Sequence, residues 1–315
     1  MGVSGQTNVS TIGVGLLGLG VVGSAVAKAL LSRDQSKERK IPLALVSAVV
    51  RDPNKLRSID LGQSIVTDDP QAVIDNNSVS IVVELMGGEN PAFDYISSSL
   101  KAGKHVVTAN KEVMCKRGNE LLRIAAENNV ELKYEASVGG GIPIIGPLTN
   151  DLVANRIQSI RAIINGTTNF ILTKMAYEGA DFDDVLAEAQ SLGYAEADPS
   201  TDIDGVDAAH KLALLSSLAF GTAVDFQSIS VEGIRFISSV DIEYAVELGY
   251  AIKLLAVAQK TQHGIEQRVQ PSMVSKDTPL AHVNGVTNAV VVQTNICGDT
   301  MYPVYYKHLT LPPKA

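Results

Sequence analysis

The chain predicts an α/β fold: a doubly wound parallel sheet followed by a second, smaller α+β domain. Three observations lead there. Up to about Pro147, apolar runs of strand length alternate with stretches of helical length. Strands that are apolar on both faces belong in parallel sheets covered by helices. A glycine-rich turn separates the first strand from the first helix. Beyond Pro147 the alternation gives way to an irregular mixture of strands and helices, the pattern of an α+β domain. A length of 315 residues fits about two domains.

In order, Thr11–Leu17 reads as a buried strand and Val21–Ser32 as a helix. Leu43–Val50 and Val79–Leu85 are further apolar strands, the latter followed by Met86-Gly87-Gly88. A helix near Ala92–Lys101, a strand His105–Thr108, a helix near Lys116–Asn128 and a strand Glu131–Ala136 complete the first part. Gly139–Pro147 is dense in Gly and Pro and reads as a junction. Arg156–Ile164, Ile265–Val274 and Val286–Thr294 read as strands; Asp181–Ser191, Gly205–Phe220 and Glu243–Gln259 read as helices. The expected division is 1–148 for a dinucleotide-binding domain, 149–296 for a substrate and dimerisation domain, and 297–315 for an atypical tail.

Composition removes several functions. Hydrophobic residues make up 45% and charged residues 19%, enough apolar material for packed cores. The net charge is −8 and no run of Lys or Arg offers a phosphate footprint, so no nucleic-acid partner is expected. Aromatics are 5% and Trp is absent, which argues against a base-stacking platform. Cys115 and Cys297 are too few and too distant for a disulfide framework, and a cytoplasmic location is expected. Ile12–Leu31, with Lys28 as its single charge, imitates a signal or spanning segment. The missing basic flank, the five glycines within it and the polar leader Met1–Ser10 oppose that reading, so no membrane partner is expected.

Gly18-Leu19-Gly20-Val21-Val22-Gly23 fits G-x-G-x-x-G between a strand and a helix, the context of a Rossmann-type dinucleotide site. Gly18 permits the turn, Gly20 lets backbone approach a pyrophosphate, and Gly23 lets helix and strand pack closely. The helix N-terminus around Val21 and Val22 then offers free N–H groups to phosphate. At the end of the second strand, Arg51 suits the 2′-phosphate of NADP, whereas Asp52 keeps NAD open. Arg51 comes first, and Lys55 and Arg57 lie nearby, so NADP is the preferred cofactor. The alternative for Arg51 is a solvated loop charge.

The second part carries five carboxylates, Glu196, Asp198, Asp202, Asp204 and Asp207, ahead of a helix apolar almost all round. Asp207 and Lys211, at i and i+4, share one helix face. That face continues through Leu214 and Leu218, so the charges lie near a buried stripe. Two readings stand. In one, Asp207–Lys211 is an ordinary helix ion pair behind a solvated acidic loop, with Asp204 as N-cap. In the other, the acids bind a substrate ammonium and Lys211 points at a reacting oxygen.

Five motifs then occur in order: Gly18–Ser24, Thr108-Ala-Asn-Lys111, Tyr134–Pro143, Asn165-Gly-Thr-Thr-Asn-Phe-Ile171, and Leu192-Gly-Tyr-Ala-Glu-Ala-Asp-Pro199 through Asp207 and Lys211. Together they resemble the homoserine dehydrogenase family, from about Ile12 to about Asn288. The resemblance implies reversible, NAD(P)H-dependent reduction of aspartate β-semialdehyde to homoserine in threonine, methionine and isoleucine biosynthesis. It implies that Lys211 donates the proton to the aldehyde oxygen with Asp207 as its partner. Glu196, Asp202 and Tyr194, with the backbone of Gly166 and Thr167, hold the amino-acid part of the substrate. The resemblance also places Lys111 between cofactor and substrate, with Thr108 at the cofactor. A sodium-like cation is held by the Glu135 carboxylate and the carbonyls of Val138, Gly140 and Ile142; the bland alternative for Glu135 is a charge at a strand end. A homodimer is implied as well.

The C-terminal stretch departs from that pattern. The family's Gly-rich G-x-G-A-G segment, its following helix and its regulatory domain have no counterpart in Cys297–Ala315, where Pro303, Pro312 and Pro313 oppose a helix. That leaves a nucleotide-binding homologue of impaired activity as an alternative. A dehydrogenase with Cys115 as thiol nucleophile is another, although no motif surrounds that cysteine.

Overall fold

The computed structural model describes residues 11–32, 41–57, 59–62 and 64–304. The polar leader Met1–Ser10 and the end of the tail, from residue 305, lie outside the described residues. The chain forms two compact units, Met1–Ser137 and Val138–Ala315.

The first unit is built on β1 (Ile12–Leu17), β2 (Leu43–Val49), β3 (Ile65–Thr67), β4 (Ile81–Glu84), β5 (His105–Thr108) and β6 (Leu132–Lys133). Their order is β3-β2-β1-β4-β5-β6, and every pairing is parallel. The chain reverses its direction of travel across the sheet between β1 and β4, which opens a crevice at the C-terminal strand ends there. Helices α1 (Val21–Leu31), α2 (Gln71–Ile74), α3 (Ala92–Lys101) and α4 (Lys111–Glu127) connect the strands. Val14, Leu16, Ala27, Leu45, Ala48, Leu61 and Val83 form one apolar cluster. The short β3 and α2 escaped the sequence reading because three or four residues carry too little periodicity.

The second unit opens its sheet with β7 (Ile157–Ile163) and follows it with α5 (Gly166–Glu178), α6 (Phe182–Ser191), α7 (Ser200–Ile203) and α8 (Val206–Phe220). Next come β8 (Ser230–Val231), α9 (Ser239–Glu247), β9 (Tyr250–Thr261), β10 (Gly264–Ser275), β11 (Asn288–Thr294) and β12 (Gly298–Val304). The order is β12-β11-β7-β9-β10-β8, antiparallel except for the β8–β10 pair. Helix α8 packs on β7, β9 and β10, where Ala162, Ala256 and Ala258 are fully buried. That explains why α8 is apolar on nearly every side.

Two expectations are corrected here. Glu243–Gln259 is not one helix: α9 stops at Glu247, Gly249 takes a left-handed φ of 83°, and β9 follows. The apolar run from Leu254 to Ala258 lies in a central strand between β7 and β10, and such runs do not reveal their period. Residues 298–304 of the expected tail form an edge strand along β11, the one sheet position where Pro303 is tolerated.

Candidate active site

In the first unit a cleft of about 670 Å³ opens at the ends of β1, β2 and β4, lined by Gly18, Gly20, Arg51, Asp52, Lys55 and Met86 among others. Gly18 has φ +105°, a conformation closed to most side chains. A Cβ on Gly23 would sit 2.2 Å from the Gly18 carbonyl oxygen, so helix and turn touch through backbone alone. Around Gly20 nothing stands within 4 Å of the place a Cβ would take. Val21 is 72% and Val22 55% exposed, so the first turn of α1 is open to a ligand. This geometry fits a pyrophosphate laid against backbone N–H groups.

At the rim the Asp52 carboxylate accepts the Asn54 N–H at 2.9 Å. The Arg57 guanidinium donates to the carbonyls of Lys55 and Asp52, both at 2.7 Å. Both are occupied in shaping their own loop. Arg51 is exposed on the cleft wall. Beneath, Glu84 is fully buried and satisfied: its carboxylate accepts the Thr108 hydroxyl at 2.6 Å and the Met86 N–H at 2.7 Å. Asn110 caps α4 through Val113 and donates to the Gly88 carbonyl, and Lys111 opens that helix. Glu84 and Asn110 were not singled out from sequence.

In the second unit, Lys211 donates to Asp207 Oδ2 at 2.6 Å and to the Ile164 carbonyl at 2.9 Å. Asp207 is 3% exposed. The Asn165 amide uses its two N–H groups on two carboxylates, Asp202 Oδ1 at 2.7 Å and Asp207 Oδ2 at 3.0 Å. Its Oδ1 accepts the Thr168 N–H and caps α5. The Thr167 hydroxyl donates to the Tyr194 carbonyl at 2.6 Å, and Gly166 begins α5. Lys211, Asp207, Asp202 and Thr167, drawn from separate segments, thus meet around Asn165. Asn165 was quoted in a motif without a role; its position as an Asn directly before a helix was the available signal.

The other expected residues join this network only through the Tyr194 backbone. Glu196 is exposed, and only its carbonyl is engaged, by Gln190. Tyr194 contributes its carbonyl and sets its ring 5.0 Å from that of Phe170, tilted by 51°. Asp204 does not cap α8: Gly205 takes that place with φ 83°, and Asp204 pairs with Arg235 through two bonds of 3.0 and 2.9 Å. Asp198 is held below the usual carboxylate range by the Ser200 side chain and N–H. Glu135 opens a half-buried turn, and Val138 and Ile142 in the next segment are buried while Gly140 is exposed.

A six-stranded parallel sheet with a glycine crevice, joined in one chain to a domain holding a buried lysine–carboxylate network, defines a nicotinamide-dependent oxidoreductase. Comparison with known proteins narrows this. Residues 18–135 match the family model described as "Homoserine dehydrogenase, NAD binding domain", and residues 143–305 match "Homoserine dehydrogenase". A homoserine dehydrogenase from Synechocystis is 48% identical over 297 residues, covering 93% of this chain and 68% of that protein. A crystal structure of a homoserine dehydrogenase from Thiobacillus denitrificans aligns with a TM-score of 0.89 at 45% identity, covering 94% of this chain and 69% of that one. A hyperthermophilic archaeal homoserine dehydrogenase, solved in complex with NADPH, aligns with a TM-score of 0.79 at 31% identity, covering 94% and 92%. The chain belongs to the homoserine dehydrogenase family. The likeness runs to residue 305, past the Asn288 expected from motifs. Among the described residues no helix is long and apolar enough to cross a membrane.

Proposed function

We propose that the chain interconverts homoserine and aspartate β-semialdehyde, with Lys211 as the catalytic acid and base. The observation that carries this is the Lys211 ammonium anchored by buried Asp207 and the Ile164 carbonyl. An ammonium has three N–H donors. Two are used, and the third is left for a substrate oxygen. Among Asp202, Asp207 and Lys211 two negative charges face one positive charge. The cluster therefore carries one surplus negative charge that suits the ammonium of an amino acid, with Asp202 and Glu196 as its holders. Tyr194, Gly166 and Thr167 shape the rest of that pocket.

In the reducing direction Lys211 donates its proton to the aldehyde oxygen as negative charge develops there, and Asp207 holds the amine in place through its 2.6 Å hydrogen bond. The nicotinamide cofactor supplies or accepts the hydride when bound. The residues that would hold it are Gly18, Gly20, Val21, Val22 and Gly23 at the pyrophosphate, with Lys111 at the start of α4; Thr108, fully buried with its hydroxyl on Glu84 and accepting the Asn110 N–H, would position that helix start. Arg51 selects NADP over NAD: its neighbours Asp52 and Arg57 are committed to the loop, while Arg51 lines the cleft. The NADPH complex of the archaeal relative supports that choice.

A monovalent cation such as Na+ suits Glu135 and the carbonyls of Val138, Gly140 and Ile142. One carboxylate beside a glycine turn is a donor set for a hard cation, and Gly140 has the φ of +61° that such a turn requires. We further propose a homodimer acting on a small-molecule substrate. The test is absorbance at the reduced-nicotinamide band with homoserine and NADP+ or NAD+. Reduction faster with NADP+ than NAD+ is expected; nucleotide binding without reduction would overturn the activity. Cation dependence is read by replacing Na+ with choline, and the dimer by sedimentation.

A further inference from the structure

Lys253 lies on β9, 2% exposed, and among the described residues no carboxylate is bonded to it. Its three donors meet three neutral oxygens: Val283 O at 2.7 Å, Asn284 Oδ1 at 2.9 Å and Asn169 Oδ1 at 3.1 Å. Burial without a counter-charge pushes the ammonium down to about 8. A lysine serving the fold alone is poorly chosen for such a place, since an apolar side chain of similar volume packs there without the desolvation penalty.

The three oxygens lead to one place. Asn169 belongs to the first turns of α5, and its amide donates to the carbonyls of Val283 and Thr287, both at 3.0 Å. The Gly285 N–H donates to Thr173 Oγ1 at 3.1 Å. A Cβ on Gly166 would stand 3.1 Å from the Val286 carbonyl oxygen. Residues 283–287 therefore lie along Gly166, Asn169 and Thr173, a single stripe of α5. Lys253 ties both partners together, bonding the segment through Val283 and Asn284 and the helix through Asn169. The N-terminal end of the same helix carries Gly166, Thr167 and the Asn165 cap that joins Asp202 to Asp207.

We propose that Lys253 is a positioning residue for amino-acid recognition: by clamping residues 283–287 onto α5 it fixes the height and tilt of the Gly166–Thr167 turn. It touches neither substrate nor cofactor and acts through Asn169 and Asn284. The inference rests on the reading of α5 as the substrate-holding helix. A small shift of such a turn weakens substrate binding while the proton-transfer group stays in place.

The test is steady-state kinetics of homoserine oxidation by the full chain for wild type, Lys253→Met and Asn284→Ala, with thermal unfolding alongside. For Lys253→Met the expected result is a KM for homoserine raised about tenfold, with kcat within about twofold, an unchanged KM for NADP+ and no loss of thermal stability. Asn284→Ala, which keeps the lysine and removes one acceptor, shifts the same KM in the same direction by less. If Lys253→Met does not fold, Asn284→Ala decides alone. An unchanged homoserine KM, or a uniform loss across kcat and both KM values, overturns the proposal. Failure of the wild type to oxidise homoserine overturns instead the functional reading on which it rests.

Discussion

In the proposed function, the glycine crevice of the first unit and the charged network of the second would recognise ligands by opposite means. The crevice works through backbone: three glycines within six residues, an open helix end and a turn whose φ of +105° excludes most side chains. The network works through side chains from 165–167, 202–211 and the carbonyl of Tyr194, held by an amide at the centre. A backbone site is local, so it is compact in sequence and intolerant of added atoms. A side-chain network is non-local, tolerates added volume better, and fails when one hydrogen-bond partner is removed.

The contrast is broken most severely at Gly23. In Gly23→Val the new side chain meets the Gly18 carbonyl oxygen, already 2.2 Å from a bare Cβ, so the turn must move. Loss of NADPH binding by fluorescence titration is expected, with destabilisation on the order of 3 kcal/mol; retained affinity would show that the crevice is not a backbone site. Next is Asn165→Ala. It takes one hydrogen-bond donor from each of Asp202 and Asp207 and removes the cap of α5, so kcat/KM for homoserine falls by about a hundredfold and stability by about 1 kcal/mol, with NADPH affinity kept. Arg51→Ala is smaller: the KM for NADP+ rises about tenfold and that for NAD+ stays level, as expected for one lost charged contact to phosphate.

The gentlest perturbation is pH acting on Lys253. Its amine is held near 8 in the folded chain against an ordinary 10.5. Between those values the unfolded chain binds more protons than the folded one, so this group adds stability as pH rises. The burden of burying the cation is full below about 8 and is relieved towards 10.5. Unfolding of wild type and Lys253→Met in urea at pH 7 and pH 10 should therefore show wild type gaining on the variant. A gap that is constant with pH would mean that the amine is not perturbed.

How much of this was legible in the sequence follows the same division. The parallel sheet, the glycine turn and the Asp207–Lys211 pair were readable because each is encoded within a few residues. The role of Asn165 was not, because its partners lie 37 and 42 positions away. The helix expected over Glu243–Gln259 shows the limit for secondary structure: Leu254–Ala258 is apolar and buried on both faces, so the polar rhythm that separates helix from strand is missing there. Asp204 looked like an N-cap by residue type, yet Arg235, thirty-one positions on, holds it, and Gly205 makes the turn. Edge strand β12 was obscured by Pro303, which argues against a helix but not against an edge.

The central claim is that one ammonium, Lys211, performs proton transfer while taking no part in nucleotide binding. The most direct measurement is Lys211→Ala assayed for homoserine-dependent NADP+ reduction and titrated with NADPH in the same preparation. Turnover reduced by about a thousandfold with an unchanged NADPH Kd is the predicted result. Turnover within a few-fold of wild type, with the same NADPH affinity, would contradict it.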